Sequence, residues 1–407
     1  MKKTTIKTLV FSAFIFLSQI TFAQNDSAMI NRIGQVSFFP PLSTNGFESG
    51  RVVNNVSINL FAGYQGGLEG IEMGGFANII KHDMKGAQFA GFGNTVLQNT
   101  YGSQFSGFYN VNLGYTKGAQ FAGFINTVVD SADAFQAAGF TNVLTKGGSG
   151  AQIAGFSNHT LGNYQGAQIA GFVNTQIGNI AGPQIAGFAN VVTGNVKGLQ
   201  LSGFSNIATG NVLGSQISGF VNVGRNIKGS QIGFINIADS VEGAAIGFLS
   251  IVKDGYRRFE FEANETFYGL LRAKTGTERF YNIFSFGMRP TSDHFYWVYG
   301  YGVGTLFNLN DKLDLNFDLE SFFMVQDDYR NIDVNQLNRL KANVSYGLSD
   351  RIEVFAGPSF NLMVSDNLDE NGDPIGSDLT PYTITSNTYR SVMLESYVGL
   401  NIGVRLR

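Results

Sequence analysis

The residues with the chemistry to act on a substrate are few and widely spaced. His82, His159 and His294 are the only imidazoles, the side chain best suited to move a proton or hold a transition metal near neutral pH. They are far apart, two of them in turn-like settings, and solvated histidines on loops are the expectation. The acidic pair Asp130 and Asp133 falls in one irregular repeat, and an insertion between coils accounts for it better than a catalytic dyad. Gly300-x-Gly302-x-Gly304 has the look of a nucleotide fingerprint, but it lies in an alternating strand pattern and not at a strand-to-helix turn. Polysaccharide-cleaving β-helices need clustered acids and bases on one coil face, and the repeats carry almost none. No catalytic residue is assigned, no enzyme activity is expected and no cofactor is implied.

One loop has metal-like spacing. Asn367, Asp369, Asn371 and Asp373 place oxygen donors at alternate positions, Gly372 takes the sixth position and Asp378 the twelfth. Oxygen ligands converging around a sharp glycine turn are what calcium requires. The run departs from that pattern by starting on Asn, by ending on the shorter Asp and by lacking flanking helices. A solvated surface loop is the alternative, and no metal site is assigned.

The framework that would have to position such residues is dominated by repetition. Gln88, Gln104, Gln120, Gln136, Gln152, Gln168, Gln184, Gln200 and Gln216 are spaced sixteen residues apart. Each opens Gln-x-(Ala/Ser)-Gly-Phe-x-Asn, with Ala137-Ala138 following Gln136. The register extends back to Glu72 and, in shortened steps, forward to Gln231 and Ala245, giving about twelve units. Helix is disfavoured by the glycine content, the β-branched residues and the absence of a 3.6-residue period. Gly-Asn pairs such as Gly162-Asn163 and Gly178-Asn179 mark tight turns.

Identical residues at equal spacing predict a parallel β-solenoid, in which each residue stacks on its equivalent about 4.8 Å away. Asparagines then form an amide ladder and phenylalanines a stack. Such a rod would be on the order of 55–60 Å long. Strict alternation puts Gln152, Ala154, Phe156 and Asn158 on one face and Ile153, Gly155 and Ser157 on the other. A corner at Ala154-Gly155 would instead bring Ile153 and Phe156 to the same side. An outward face of Gln, Asn, Ser and Thr would suit a glycan, a protein ligand or a second copy. The step at Gln231 loses one residue between Ile232 and Gly233. Residues 56–252 are assigned to the solenoid, with Val56–Tyr64 as a degenerate first coil or cap. Residues 24–55 form an N-terminal segment, loose at first and then strand-like around Val36–Phe39.

Composition shifts beyond Val252. Thirteen charged residues fall between Glu72 and Ser250, against thirty-six between Lys253 and Arg407, so 253–407 is a separate domain. Its period is two. Leu313, Leu315, Phe317 and Leu319 alternate with Asp314, Asn316, Asp318 and Glu320, and Leu340, Ala342, Val344 and Tyr346 with Lys341, Asn343 and Ser345. Seven or eight antiparallel strands are expected, with short turns at Asn310-Asp311 and Ser349-Asp350. Long strands and one long polar loop, 365–387, fit a small outer-membrane β-barrel, with Phe295, Tyr296, Trp297 and Tyr299 in an aromatic girdle. A water-soluble antiparallel sheet or barrel capping the rod is the alternative. Ending on Arg407, where outer-membrane barrels usually carry an aromatic, weighs toward it.

Met1-Lys2-Lys3, an interrupted apolar run from Leu9 to Phe22 and the small residue Ala23 predict a secretory signal peptide over 1–23. There is no cysteine, hence no disulfide and no lipidated cysteine. A net charge of −3 is too small to imply a nucleic-acid partner.

The phrases Gly150-Ala151-Gln152-Ile153-Ala154-Gly155-Phe156 and Gly166–Phe172, together with Asn59–Tyr64, resemble the bacterial surface-repeat proteins of spirochaetes and Bacteroidetes. Phe280–Phe284, Arg289-Pro290 and Tyr299–Gly304 are similar to the tails of members of that group. The resemblance implies export and an outer-membrane or cell-surface location, and it brings neither enzyme activity nor ligand. The combined expectation is an all-β, exported, non-enzymatic surface protein, with a pore or transport component as the alternative.

Overall fold

A computed structural model describes residues 28–291, 295–326, 335–369 and 371–407. The expected signal peptide and His294 lie outside the described residues. The chain is a parallel β-solenoid of about twelve turns followed by a closed, antiparallel eight-stranded barrel.

One coil shows how the repeat folds. Gly148–Ala154 is the first strand, Gly155-Phe156 the corner, Ser157–Leu161 the second strand, and a turn at Gly162-Asn163 leads into the next coil. Gln152 pairs with Gln136 on one side and Gln168 on the other, and Asn158 likewise with Asn142 and Asn174. The first strands make one parallel sheet and the second strands another, the latter thirteen strands deep from Ala62–Gln65 to Leu249–Val252. From Ile180 onward the first strand is broken into short pieces, first at Gly182-Pro183, where proline has no N–H to give to the ladder.

The corner explains the repeated glycine. A Cβ on Gly155 would sit 2.1 Å from the carbonyl oxygen of Gly139, and one on Gly171 equally close to Gly155. Any side chain there would force the coils apart. Because the chain turns at Gly155, Ile153 and Phe156 do share a side, and that side is the outside. Gln152 and Asn158 are fully buried, whereas Phe156 remains 40 % exposed. This corrects the expected outward face of glutamine and asparagine, because the amides form the inside of the rod. The missing residue at Ile232-Gly233 is absorbed at the corner, and Phe220 and Phe234 still stack at 5.5 Å.

The rod starts earlier than expected. Ile30–Phe39 is a strand pairing in parallel with Val52–Asn59, so part of the segment left outside the solenoid joins its first sheet. Asp130 and Asp133 do not mark an insertion either. Asp133 keeps register with Lys117 and Ser149.

The barrel strands are Tyr256–Asn264, Gly269–Thr277, Phe280–Pro290, Phe295–Asn310, Leu313–Gln326, Asn335–Gly347, Ile352–Ser365 and Val392–Leu406. Pairing of Phe259 with Leu406 and of Phe261 with Val404 closes the ring. A short strand, Thr385–Tyr389, folds back on the start of the last one. One rim carries the short turns 278–279, 311–312 and 348–351, and the other carries 265–268 and the long connection 366–391.

The rod meets the barrel's side wall. Thr275, Asn282 and Tyr301 point outward from adjacent barrel strands. Asn282 Oδ1 accepts from the Ser250 amide at 2.9 Å, and its Nδ2 donates to the Gly247 carbonyl at 2.7 Å. Thr275 Oγ1 donates to the Ser250 carbonyl and the Tyr301 hydroxyl to that of Phe248. Side chains of the wall thereby occupy backbone groups that a further coil would otherwise have paired.

Candidate functional site

Alternation decides what faces the barrel axis. Glu260 and Glu262 on the first strand point inward, as do Arg272 and Lys274 on the second, Asp318 and Glu320 on the fifth, Arg339 and Lys341 on the sixth, Glu353 on the seventh and Arg405 on the last. Five carboxylates and five cations thus meet in one interior, and Asp314, on the same phase nearer the short-turn rim, faces Arg407. Arg272 is the hub. Its Nη1 donates to Glu260 at 2.6 Å and Glu262 at 2.7 Å, and its Nη2 to Glu320 at 2.6 Å and Asp318 at 3.2 Å. Lys341 Nζ reaches Glu262 and Glu320, both at 2.7 Å. Charges this deep survive only with partners of opposite sign and satisfied hydrogen bonds.

Gly300, Gly302 and Gly304 make room for this cluster. A Cβ on Gly302 would come within 2.6 Å of Glu320 Cγ, and one on Gly304 within 2.4 Å of Asp318 Oδ1. Apolar layers close the network at both ends. Phe267, Leu270, Tyr296, Phe322 and Met363 pack toward the long-loop rim, and Tyr256, Tyr281 and Leu306 toward the short-turn rim. Eight strands enclose an interior that side chains just fill. Outside, Phe259, Phe261, Leu271, Phe286, Leu319, Phe360, Leu400 and Ile402 are exposed. The barrel is therefore apolar outward and ionic inward.

The rod's interior is mixed, with amide ladders running beside an apolar core that includes Val128, Leu144, Ile180 and Val192. Inside, each glutamine Nε2 donates to the preceding glutamine, as Gln168 does to Gln152 at 2.8 Å, while each asparagine Nδ2 donates to the following asparagine, as Asn158 does to Asn174 at 2.9 Å. Outside, the phenylalanine rings stack from Phe61 to Phe248, with centroids 4.8 Å apart and planes within 2° at Phe108, Phe124 and Phe140. Stacking covers both faces of each ring and leaves its edge exposed. A second apolar row, Phe89, Phe121, Ile153, Ile169 and Ile185, runs beside it. Along this second row lies a shallow groove of about 950 Å³, lined by corner glycines and by Met73, Phe89, Phe105, Phe121 and Ile153.

Charge is confined to the opposite edge. Apart from Glu72, the charged residues between Glu72 and Ser250 are Lys81, Asp83, Lys85, Lys117, Asp130, Asp133, Lys146, Lys197, Arg225, Lys228, Asp239 and Glu242. Each falls three to seven residues after its ladder asparagine, in the back turn or the start of the next strand. They pair along the rod, as Lys146 does with Asp130 at 3.2 Å and Lys85 with Glu69 at 3.0 Å.

Glu72 is the exception. It occupies the glutamine position of its coil, fully buried, and accepts from Gln88 Nε2 at 2.8 Å and Asn59 Nδ2 at 2.9 Å. Burial raises its carboxyl to about 7 despite those donors.

The calcium-like loop is not brought together. Asp369 Oδ1 accepts from the amides of Asn371 and Asp373 at 2.8 and 2.9 Å, a turn that holds its carboxyl below the ordinary range. Asn367 donates to the Gly376 carbonyl, and Asp378 accepts from the Tyr296 hydroxyl at 3.0 Å. Among the described residues no three His, Asp or Glu side chains converge as a metal site would require. His82 sits in a turn, whereas His159 lies on a strand of the second sheet, where burial lowers its basicity.

The ionic interior and the outward aromatic rows were not assigned from sequence. Two signals pointed to them: opposite charge signs on the polar phase of alternating strands, and the restriction of rod charges to one part of the period. The chain matches no protein-family model, and no curated protein is similar to it at a significant level.

Proposed function

We propose that the chain is an exported, non-enzymatic structural protein of an outer membrane, anchored by its C-terminal barrel. The observation that carries this reading is the barrel's polarity. A water-soluble barrel turns its apolar phase inward, whereas this one fills its interior with paired ions and exposes Phe259, Phe261, Leu271, Leu400 and Ile402. A closed barrel leaves no open sheet edge, and an outward apolar phase is what a hydrocarbon solvent selects. Short turns on one rim and long connections on the other are the usual asymmetry of such barrels, with the short turns on the periplasmic side. The rod leaves from the short-turn side, so on this reading it lies in the periplasm and the 366–391 connection faces outward.

The pore alternative has no comparable support, because the barrel's waist is packed with fully buried side chains. The amide face expected to bind glycan lies inside the rod.

The experiment is fractionation of outer membranes with alkaline carbonate and urea, followed by electrophoresis of unheated and heated samples. Retention in the pellet with a heat-dependent mobility shift is the expected result. Full release into the supernatant would reject the anchor.

A further inference from the structure

We propose that the phenylalanine edge of the rod lies against the lipid of the same bilayer that holds the barrel, so that the solenoid runs along the membrane and does not project from it. This rests on the membrane-anchor reading above.

Three observations converge. The first is continuity. The ring stack does not stop at the last coil, since Phe248 stacks on Tyr301 of the barrel wall at 4.9 Å and meets Phe284 edge-on at 6.2 Å. The apolar edge of the rod and the outer wall of the barrel are one uninterrupted aromatic surface. The second is direction. The last coil is capped by Thr275, Asn282 and Tyr301, all on the outside of the barrel. A rod whose open end abuts that wall extends across the barrel axis. Thr275 and Asn282 lie within three residues of the 278–279 turn, at the level where a barrel of this orientation meets the lipid headgroups. The third is charge. Phenylalanine and mostly isoleucine rows occupy one edge that carries no ionic residue, while the ionic residues keep to the edge opposite, among a few apolar ones such as Ile177 and Leu213. A rod free in water has no reason to separate them. One at an interface does, because each charge carried into lipid is costly and each apolar side chain left in water forgoes its transfer energy.

The occupant is therefore acyl chain and headgroup boundary, not a protein groove. A second copy of the chain would cover the same edge, and the test separates the two. Trp297 is the only tryptophan and stacks on Phe286 on the barrel's outer wall, which makes it a built-in reporter for the barrel. Full-length protein is reconstituted into phosphatidylcholine–phosphatidylglycerol vesicles with and without brominated acyl chains. Alongside it go W297F variants carrying either Phe156→Trp on the apolar edge or Gln165→Trp on the charged edge. Phe188→Trp is a second apolar-edge reporter in case the first disturbs the stack.

The expected result is that Trp297 and the apolar-edge tryptophans emit to the blue and lose intensity in brominated lipid, while the Gln165→Trp reporter keeps a water-exposed spectrum. Quenching of Trp297 with a red, unquenched apolar-edge reporter would overturn the inference and leave the anchor standing. A blue but unquenched reporter would mean that protein covers the edge, and would also overturn it. An unquenched Trp297 would reject the anchor itself, and the inference with it.

Discussion

Gln88 donates its side-chain amide to a carboxylate, Glu72, at 2.8 Å, where every later rung of the ladder donates to another amide. Asn59 donates to the same carboxylate at 2.9 Å and also to Asn78 at 2.9 Å. The glutamine chain runs its donors toward the N-terminus and the asparagine chain toward the C-terminus. Glu72, accepting on both of its carboxyl oxygens, joins the two where they meet.

That junction predicts a pH dependence. A carboxyl whose folded value lies above its unfolded one holds its proton more tightly in the folded rod. Stability is then greatest below the ordinary carboxylate range and declines as pH rises from about 4.5 to about 7. A shift of this size corresponds to about 3 kcal/mol. Glu72→Gln should flatten the dependence over that window in urea unfolding at several pH values. An unchanged slope would show that Glu72 is not its source.

Breaking one rung in the middle should cost more than deleting one hydrogen bond. Asn158→Ala takes one of its two close acceptors from Asn142 Nδ2, and leaves the Ile169 carbonyl and Asn174 Oδ1 without the Asn158 donor. Buried orphans of this kind cost about 2–4 kcal/mol together. Hydrogen exchange should locate the loss in the coils on either side of Asn158. Uniform loosening of the whole rod would contradict the local picture.

In the barrel, Arg272→Met removes the guanidinium that four carboxylates share and leaves their charge only partly offset by the remaining cations. Removing one partner from a buried ionic network costs about 3–5 kcal/mol. The temperature at which the folded gel band converts to the unfolded one should fall sharply. Arg272→Lys should recover only part of it, because an ammonium cannot reproduce the two-nitrogen fork. A double variant, Arg272→Met with Glu262→Gln, should be less destabilised than the sum of the single changes.

Asn282→Ala should loosen the joint without melting either part. The Ser250 amide and the Gly247 carbonyl lose their partner. Faster exchange across 247–250 and readier proteolysis near Lys253-Asp254 are expected, with the conversion temperature of the barrel unchanged.

Much of the fold was legible before any coordinate. Gln152 recurs as Gln168 because residues one coil apart are hydrogen-bonded neighbours, so an exact period becomes a parallel ladder. Leu315 and Phe317 alternate with Asn316 and Asp318 because strand side chains alternate. Spacing alone carries both relationships. What spacing does not carry is which side of a strand becomes the inside. For the rod that was settled at Gly155, where a corner too tight for a Cβ turned Phe156 out and left Gln152 and Asn158 in. The barrel took its sense from closure: joining Phe259 to Leu406 forced one phase of every strand inward, and only then did Arg272 come within reach of Glu320, forty-eight residues away. Periodicity is a property of neighbours along the chain and can be read there. Inside and outside are properties of a closed surface, and they exist only once distant strands have met.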